Sequence, residues 1–444
     1  MIKRILFRRK ECNLNFCFGS MKENSALSAM GRRMTDPPVS WLMSLALARP
    51  QVISLAAGFT DNVTLPVELS RQVLHELFSE TTSARAALQY GTTPGDLGLR
   101  TLTAKRIQVL DNNRGDAALY DPARTVMTHG SQQLLYLLTE CLCDEGDILL
   151  VEDPTYFVFL GIAQSRNLRC RAVKMEKDGV NLGQLKKILE ELKLSGELPR
   201  VKMLYLITYH QNPSGITTSF EKKTGALEIL RSYEHDAGHP IYLLEDSAYR
   251  ELGFKEQQPE SGLVASGGER VLYAGTYSKP FATGARIGFG LLPEPLMTSV
   301  LHAKTNHDFG TANFLQAMMY RVLKSGLYVE HVKKLRQRYE FKANVMLEAM
   351  KQHFPKGVEW IEPAGGLYYW VSVPHSMSTG MKSKLFKAAL DADVIYVPGD
   401  LCYADDPTRR KPNYEMRLSF GGASEENIRE GIRRLGEVLR AQLA

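Results

Sequence analysis

One stretch of this chain concentrates groups that could do chemistry: Gly275-Thr276-Tyr277-Ser278-Lys279-Pro280-Phe281-Ala282-Thr283-Gly284-Ala285-Arg286-Ile287-Gly288-Phe289-Gly290. Lys279 follows two hydroxyl residues at the end of the apolar run Val271-Leu272-Tyr273-Ala274, and Arg286 comes seven residues later among glycines. A Schiff base with an aldehyde requires an amine that can lose its proton, and burial or a nearby positive charge depresses a lysine's pKa toward that condition. If the aldehyde is pyridoxal phosphate, its phosphate needs hydroxyls, backbone N–H groups and a guanidinium, which Thr276, Ser278 and Arg286 supply. Gly284, Gly288 and Gly290 let main chain approach a ligand or another strand closely. Without that chemistry the same residues read as a surface lysine before a proline turn and an arginine on a solvated face.

Four other segments place functional groups where apolar runs end. Gly130-Ser131-Gln132 opens a helix after Thr125-Val126-Met127-Thr128, so its free N–H groups suit an anion, although a plain serine N-cap reads the same way. Asp153-Pro154-Thr155-Tyr156 offers an aromatic that can stack on a planar ring or simply pack. Gln211-Asn212-Pro213-Ser214-Gly215 is turn-like by composition. Glu245-Asp246-Ser247-Ala248-Tyr249 closes a strand with a carboxylate. Such a carboxylate keeps a pyridine nitrogen protonated and makes the ring an electron sink, or else caps a helix or ligates a metal.

In chain order these segments resemble the class I/II aminotransferases, the fold type I pyridoxal-phosphate enzymes. The stretch around Lys279 is similar to the family's Ser-Phe-Ser-Lys…Gly-x-Arg-x-Gly form, with Thr276 in place of the first serine. Tyr156 and Asn212 match the family's Glu/Asp-Pro-x-Tyr and Asn-Pro-x-Gly motifs, and Pro363-x-Gly365-Gly366 with Tyr368 and Trp370 matches a further family stretch. The resemblance spans roughly residues 50–440 and implies pyridoxal 5′-phosphate as cofactor and exchange of an amino group between an L-amino acid and a 2-oxo acid.

It also implies roles. Lys279 carries the cofactor and moves the substrate proton, Asp246 pairs with the ring nitrogen, and Tyr156 stacks on the ring. Asn212 and Tyr249 serve the phenolic oxygen, while Ser131, Gln132, Thr276, Ser278 and Arg286 hold the phosphate. Arg417, in Met416-Arg417-Leu418-Ser419-Phe420, takes the substrate α-carboxylate in a bidentate geometry, with Asn212 beside it. Tyr90 reaches across an interface to a neighbouring subunit's phosphate, which implies a homodimer with shared sites. In the subgroup resembling 2-aminoadipate and kynurenine aminotransferases an arm arginine often holds the substrate's far end. Counting back from Ser54-Leu55-Ala56, this chain has Trp41 there, which suits an aromatic or apolar amino acid. The same fold also hosts lyases, cyclases and decarboxylases, and effector-binding halves of transcription factors. The latter carry a winged helix-turn-helix, for which the about fifty residues before Ile53 are too few.

An alternation of strand and helix must position these groups. From residue 125 onward, apolar runs at 125–128, 148–151, 201–208, 241–244, 271–274 and 287–292 are joined by amphipathic stretches. In one of these, Leu134, Leu135, Leu138, Cys141 and Leu142 share a helical face. This pattern predicts an α/β fold, a mostly parallel sheet sandwiched by helices with ligands at the strands' carboxyl ends. After about residue 318 a long charged helical stretch, strand-like Gly366–Val373 and a closing helix from Glu425 predict a smaller α+β domain. The expected division is an N-terminal extension and arm over 1–50, a small domain from 51–75 and 319–444, and a large cofactor-binding domain over 76–318.

Composition limits the alternatives. Of the net charge of +6, five Lys/Arg against Glu11 in residues 1–20 supply +4, so no nucleic-acid partner is implied. Six cysteines are too sparse for a disulfide framework, and Cys141-x-Cys143 has neither redox nor metal spacing, which points to a reducing, cytoplasmic setting and no metal. No apolar run approaches the roughly eighteen residues of a membrane span. The basic extension lacks the apolar core of a secretory signal. Met21 offers an alternative start, and a transit-type peptide is the other reading.

Overall fold

The computed structural model describes residues 26–34, 41, 42, 44, 45 and 48–443. The basic stretch 1–20 with Cys12 and Cys17, Met21, the Pro37-Pro38 break and Leu47 lie outside the described residues.

A short strand β1 (Ile53–Ser54) precedes the main sheet. That sheet comprises β2 (Thr125–His129), β3 (Ile148–Asp153), β4 (Arg169–Glu176), β5 (Gly179–Val180), β6 (Val201–Ile207), β7 (Tyr242–Asp246), β8 (Val271–Thr276) and β9 (Ile287–Leu291). Its spatial order is β2-β9-β8-β7-β6-β3-β4-β5. Strands β8, β7, β6, β3 and β4 run parallel, β9 returns antiparallel between β8 and β2, and β5 lies antiparallel on the far edge. The expected mostly parallel α/β sheet is present. Strands β4 and β5 escaped the sequence pattern because Arg169, Arg171 and Lys174 interrupt the apolar run at the sheet's margin.

Alternate residues feed two cores. Leu149, Val151, Tyr205, Leu244 and Leu272 enter one cluster, while Ile148, Leu150, Leu204, Leu243 and Val271 enter the other. With both faces covered by helices, these strands read as unbroken apolar runs. The helices Gly130–Leu142, Phe157–Ser165 and Phe220–Ala237 follow β2, β3 and β6, and each therefore starts near the carboxyl edge of the sheet.

The C-terminal part holds β10 (Glu359–Ile361), β11 (Tyr368–Ser372), β12 (Val394–Ile395), β13 (Val397–Pro398) and β14 (Glu415–Ser419). Strands β10-β11-β14-β13 form an antiparallel sheet, and β12 pairs in parallel with β1, Ile53 facing Val394. The helices Leu327–His353 and Glu425–Leu443 pack on each other beside it. The expected boundaries at 75/76 and 318/319 fall inside the helices Val67–Ser79 and Asn313–Lys324, which pack together, and Val73 lies in a core cluster of the large sheet. Burial pushes the thiols of Cys143, Cys170 and Cys402 up to about 12, so they stay protonated and inert. Among the described residues no helix is long and apolar enough to cross a membrane.

Candidate active site

The carboxyl ends of β2, β3, β6, β7 and β8 and the amino end of β9 meet around a cavity of about 140 Å³. Ser131, Gln132, Tyr156, Asn212, Asp246, Tyr249, Thr276, Ser278, Lys279, Thr283 and Arg286 line it. A larger open groove of about 1010 Å³ between residues 62–75 and Leu327–Leu335 lacks any comparable convergence of reactive groups.

At one end the chain folds tightly on itself. The Ser278 N–H donates to Thr276 Oγ1 at 3.0 Å, the two hydroxyl oxygens stand 3.0 Å apart, and Arg286 Nη1 donates to Ser278 Oγ at 3.3 Å. Arg286 itself takes a left-handed φ of 51°, which turns its side chain back into this cup just before β9 begins. Its carbonyl accepts the Gly130 N–H at 2.9 Å and so stitches the start of the helix Gly130–Leu142 onto the cup. Only glycine fits at two points of this seam. A Cβ on Gly130, at φ 69°, would lie 2.5 Å from Arg286 Nη2, and one on Gly288 would lie 2.3 Å from the Ser131 nitrogen. The capping position belongs to His129, with no side-chain bond, and Ser131 sits inside the first helical turn. The N-cap reading of Ser131 is thereby overturned: the residue lines the cavity in the helix's first turn, whose free N–H groups suit a phosphate.

At the other end the groups are buried side chains drawn from separate segments. Asp246 Oδ2 accepts from the Tyr205 hydroxyl at 2.9 Å and Oδ1 from the Ala248 N–H at 3.1 Å. Burial pushes its carboxyl up to about 6, against the pull of those two bonds. Lys279 Nζ donates to the Gly58 carbonyl at 2.8 Å. Burial lowers the lysine's pKa, Arg417 and Arg286 lower it further, and Tyr368 opposes them. Arg417, on β14, donates from Nη1 to Asn212 Oδ1 at 2.6 Å and from Nη2 to the Ala56 carbonyl at 2.7 Å. Its Nε is buried without a partner among the described residues, and its guanidinium lies 4.2 Å from the Tyr368 ring centre and 5.5 Å from that of Phe157. The Tyr249 hydroxyl lies 3.0 Å from that of Tyr368.

The structure thus brings together every predicted site residue except two. Tyr90 is 83% exposed, its ring edge-on to Phe309 at 5.6 Å. Trp41 packs 6.1 Å from the Phe386 ring. Sequence reasoning missed Tyr205 and the part played by the Gly58 carbonyl, and gave Tyr368 no role. For Tyr205 a signal existed: a tyrosine amid the aliphatic residues of β6 requires a buried partner for its hydroxyl.

The donor set fits pyridoxal phosphate. Hydroxyls, free N–H groups and a guanidinium suit the phosphate, a buried carboxylate suits a protonated ring nitrogen, and a desolvated amine suits the aldehyde. The model of the family "Aminotransferase class I and II" matches residues 50–435. The chain is 32% identical over 394 residues to aromatic-amino-acid aminotransferase 1 of Thermococcus litoralis, covering 88% of this chain and 89% of that protein. It is 30% identical to 2-aminoadipate transaminase of Thermus thermophilus over 96% of this chain and 100% of that one. The crystal structure of kynurenine aminotransferase from Pyrococcus horikoshii superposes with a TM-score of 0.85 at 30% identity, covering 94% of this chain and 98% of the other. Because the matched residues include both sheets and the whole cavity lining, the chain belongs to the class I and II aminotransferases, which use pyridoxal phosphate to exchange an amino group between an amino acid and a 2-oxo acid.

Proposed function

We propose that Lys279 carries the cofactor's aldehyde and, once displaced by the substrate amine, takes the substrate's Cα proton and delivers it to the carbon that was the cofactor's aldehyde carbon. The observation that carries this reading is the meeting, in one small cavity, of a lysine made less basic by burial, a buried carboxylate and a dense phosphate cup. When bound, pyridoxal phosphate supplies a protonated ring that accepts the electrons left as the Cα–H bond breaks. Asp246 holds the positive charge on the ring nitrogen. Tyr156 covers the ring face, and Asn212 and Tyr249 donate to the phenolic oxygen. Ser131, Gln132, Thr276, Ser278 and Arg286 hold the phosphate. Arg417 takes the substrate α-carboxylate, oriented by its bonds to Asn212 and the Ala56 carbonyl.

The amino donor in this reading has an aromatic or apolar side chain. Trp41 stands where related enzymes often place an arginine, and one relative is named for aromatic amino acids. The protein works as a homodimer in the cytoplasm, with Tyr90 completing the partner's phosphate site. The exposed Leu88, Tyr90 and Phe309 give that contact an apolar surface. The C-terminal sheet carries Arg417, and the large sheet carries the groups that would hold the cofactor. The test is the visible absorbance of the loaded enzyme under a panel of single amino acids. One donor should bleach the band and a 2-oxo acid restore it, with phenylalanine or leucine ahead of aminoadipate and glutamate. A band that no donor bleaches reversibly would sink the assignment, and a preference for aminoadipate would sink the role of Trp41.

A further inference from the structure

Tyr368 opens β11 and is only 2% exposed. Its hydroxyl lies 3.0 Å from the Tyr249 hydroxyl, and the two rings meet edge to face at 5.8 Å. A Cβ added at Gly58 would stand 2.6 Å from the same hydroxyl oxygen. The phenol therefore abuts the residue whose carbonyl receives Lys279 at 2.8 Å, while its ring underlies the Arg417 guanidinium at 4.2 Å. One side chain touches the partners of the lysine, of the phenolic oxygen and of the substrate carboxylate.

A phenol has one proton to give. In a pair of hydroxyls one donates to the other, and the acceptor keeps its own proton for a third group. If Tyr249 gives its proton to the cofactor's phenolic oxygen, its own oxygen is left to accept, and Tyr368 is the hydroxyl in reach. Donation into Tyr249 polarises that O–H and strengthens its outward bond. We propose that Tyr368 is a positioning residue acting through Tyr249: it commits the Tyr249 proton to the cofactor's phenolic oxygen and so sets the acidity of the Lys279 nitrogen in the loaded enzyme. This rests on the roles given above to Tyr249 and Lys279. The charged and titratable groups around the pair are Arg417, Arg286, Asp246, Tyr156, Lys279 and, from the helix Leu327–His353, Tyr339, and all of them remain in Tyr368→Phe. That substitution also keeps the ring beneath Arg417 and removes only the oxygen.

The sign follows from charge. Donors to the phenolic oxygen stabilise its ionised form; once they weaken, that oxygen holds the lysine N–H more tightly, and the nitrogen's pKa rises. The experiment titrates the visible absorbance of the loaded wild-type enzyme, Y368F, Y249F and Y369F, and measures cofactor release by equilibrium dialysis. Tyr369 is the control: it points to the opposite face of β11, and its hydroxyl bonds the Ala343 carbonyl at 3.1 Å. The titration midpoint should rise by about half a unit to one unit in Y368F and by more in Y249F. It should stay put in Y369F, and cofactor dissociation in Y368F should increase roughly twofold to fivefold. An unchanged or lowered midpoint in Y368F beside a raised one in Y249F overturns the proposal and leaves the site reading intact. An equal rise in Y369F also overturns it, because general loosening would then explain both. Unchanged midpoints in Y368F and Y249F together overturn the role of Tyr249 and the proposal with it.

Discussion

The two ends of the cavity are built in different ways. The cup around Arg286 is made from one hairpin and one helix start that pack together, with several weak donors gathered in one place. The end around Asp246 is assembled from Tyr205, Asp246, Tyr249, Tyr368, Asn212 and Arg417, which come from separate segments and meet as buried pairs. Redundancy at the first end means that losing one group weakens cofactor retention by degrees. At the second end the proposed tasks are divided among unlike groups, so losing one changes what the site can do.

Substitutions test that contrast, beginning with the largest effect. Asp246→Ala should lower kcat roughly a thousandfold while the cofactor still binds, because in the proposed reading the ring nitrogen loses its carboxylate partner. Single-turnover bleaching of the visible band measures this, and a fall of less than tenfold would break the contrast.

The second effect concerns stability without cofactor. Asp246 titrates near 3.9 when unfolded and, by burial, at about 6 when folded. Between those values the unfolded chain has released a proton that the folded one keeps, so stability falls as pH rises across that window and is level outside it. The total is about 3 kcal/mol. Cofactor-free Asp246→Asn should therefore gain on the wild type from pH 4 to 6 in denaturant melts and stay ahead above that range. Parallel curves would show that the carboxylate is already well solvated.

Arg417→Lys should raise KM for the amino donor roughly thirtyfold, about 2 kcal/mol, with a smaller change in kcat, since an ammonium cannot reproduce the paired bonds of a guanidinium. Steady-state kinetics separate the two constants. The smallest effect belongs to the cup: Arg286→Ala should weaken cofactor binding about tenfold and leave kcat at saturating cofactor within about twofold, because the hydroxyls and helix N–H groups remain. A collapse of kcat at saturating cofactor would erase the distinction between the ends.

The sequence carried these ends unequally. The cup was legible because Thr276, Ser278 and Arg286 lie in one stretch whose glycines announce close main-chain approach. Asp246, Asn212 and Tyr156 were legible as strand ends, since apolar runs of the right length stop beside them. Tyr205 was not, because its partnership with Asp246 depends on the β6–β7 register, in which Tyr205 lies opposite Leu244 and Ile207 opposite Asp246. Tyr368 was hidden for the same reason: β11 must dock before its hydroxyl reaches Tyr249, and no local pattern records that distance. Strand β1 is confined to Ile53–Ser54 because its partner β12 is itself only two residues long.

The reversed strand β9 has a consequence for how the molecule assembles. It returns Arg286 to Ser278 across eight residues, whereas Arg417 meets the Ala56 carbonyl across 361. The entropy lost on closing a loop grows with the logarithm of its length, so the first contact costs about 3 kcal/mol less than the second before either is rewarded. A growing chain that has not yet made β14 can already close the hairpin that brings Arg286 to Ser278, while the Arg417 contacts wait for β14. The Ser278–Arg286 contact of the cup can therefore form locally, whereas its seam to Gly130 and the Arg417 contacts both wait for distant parts of the chain.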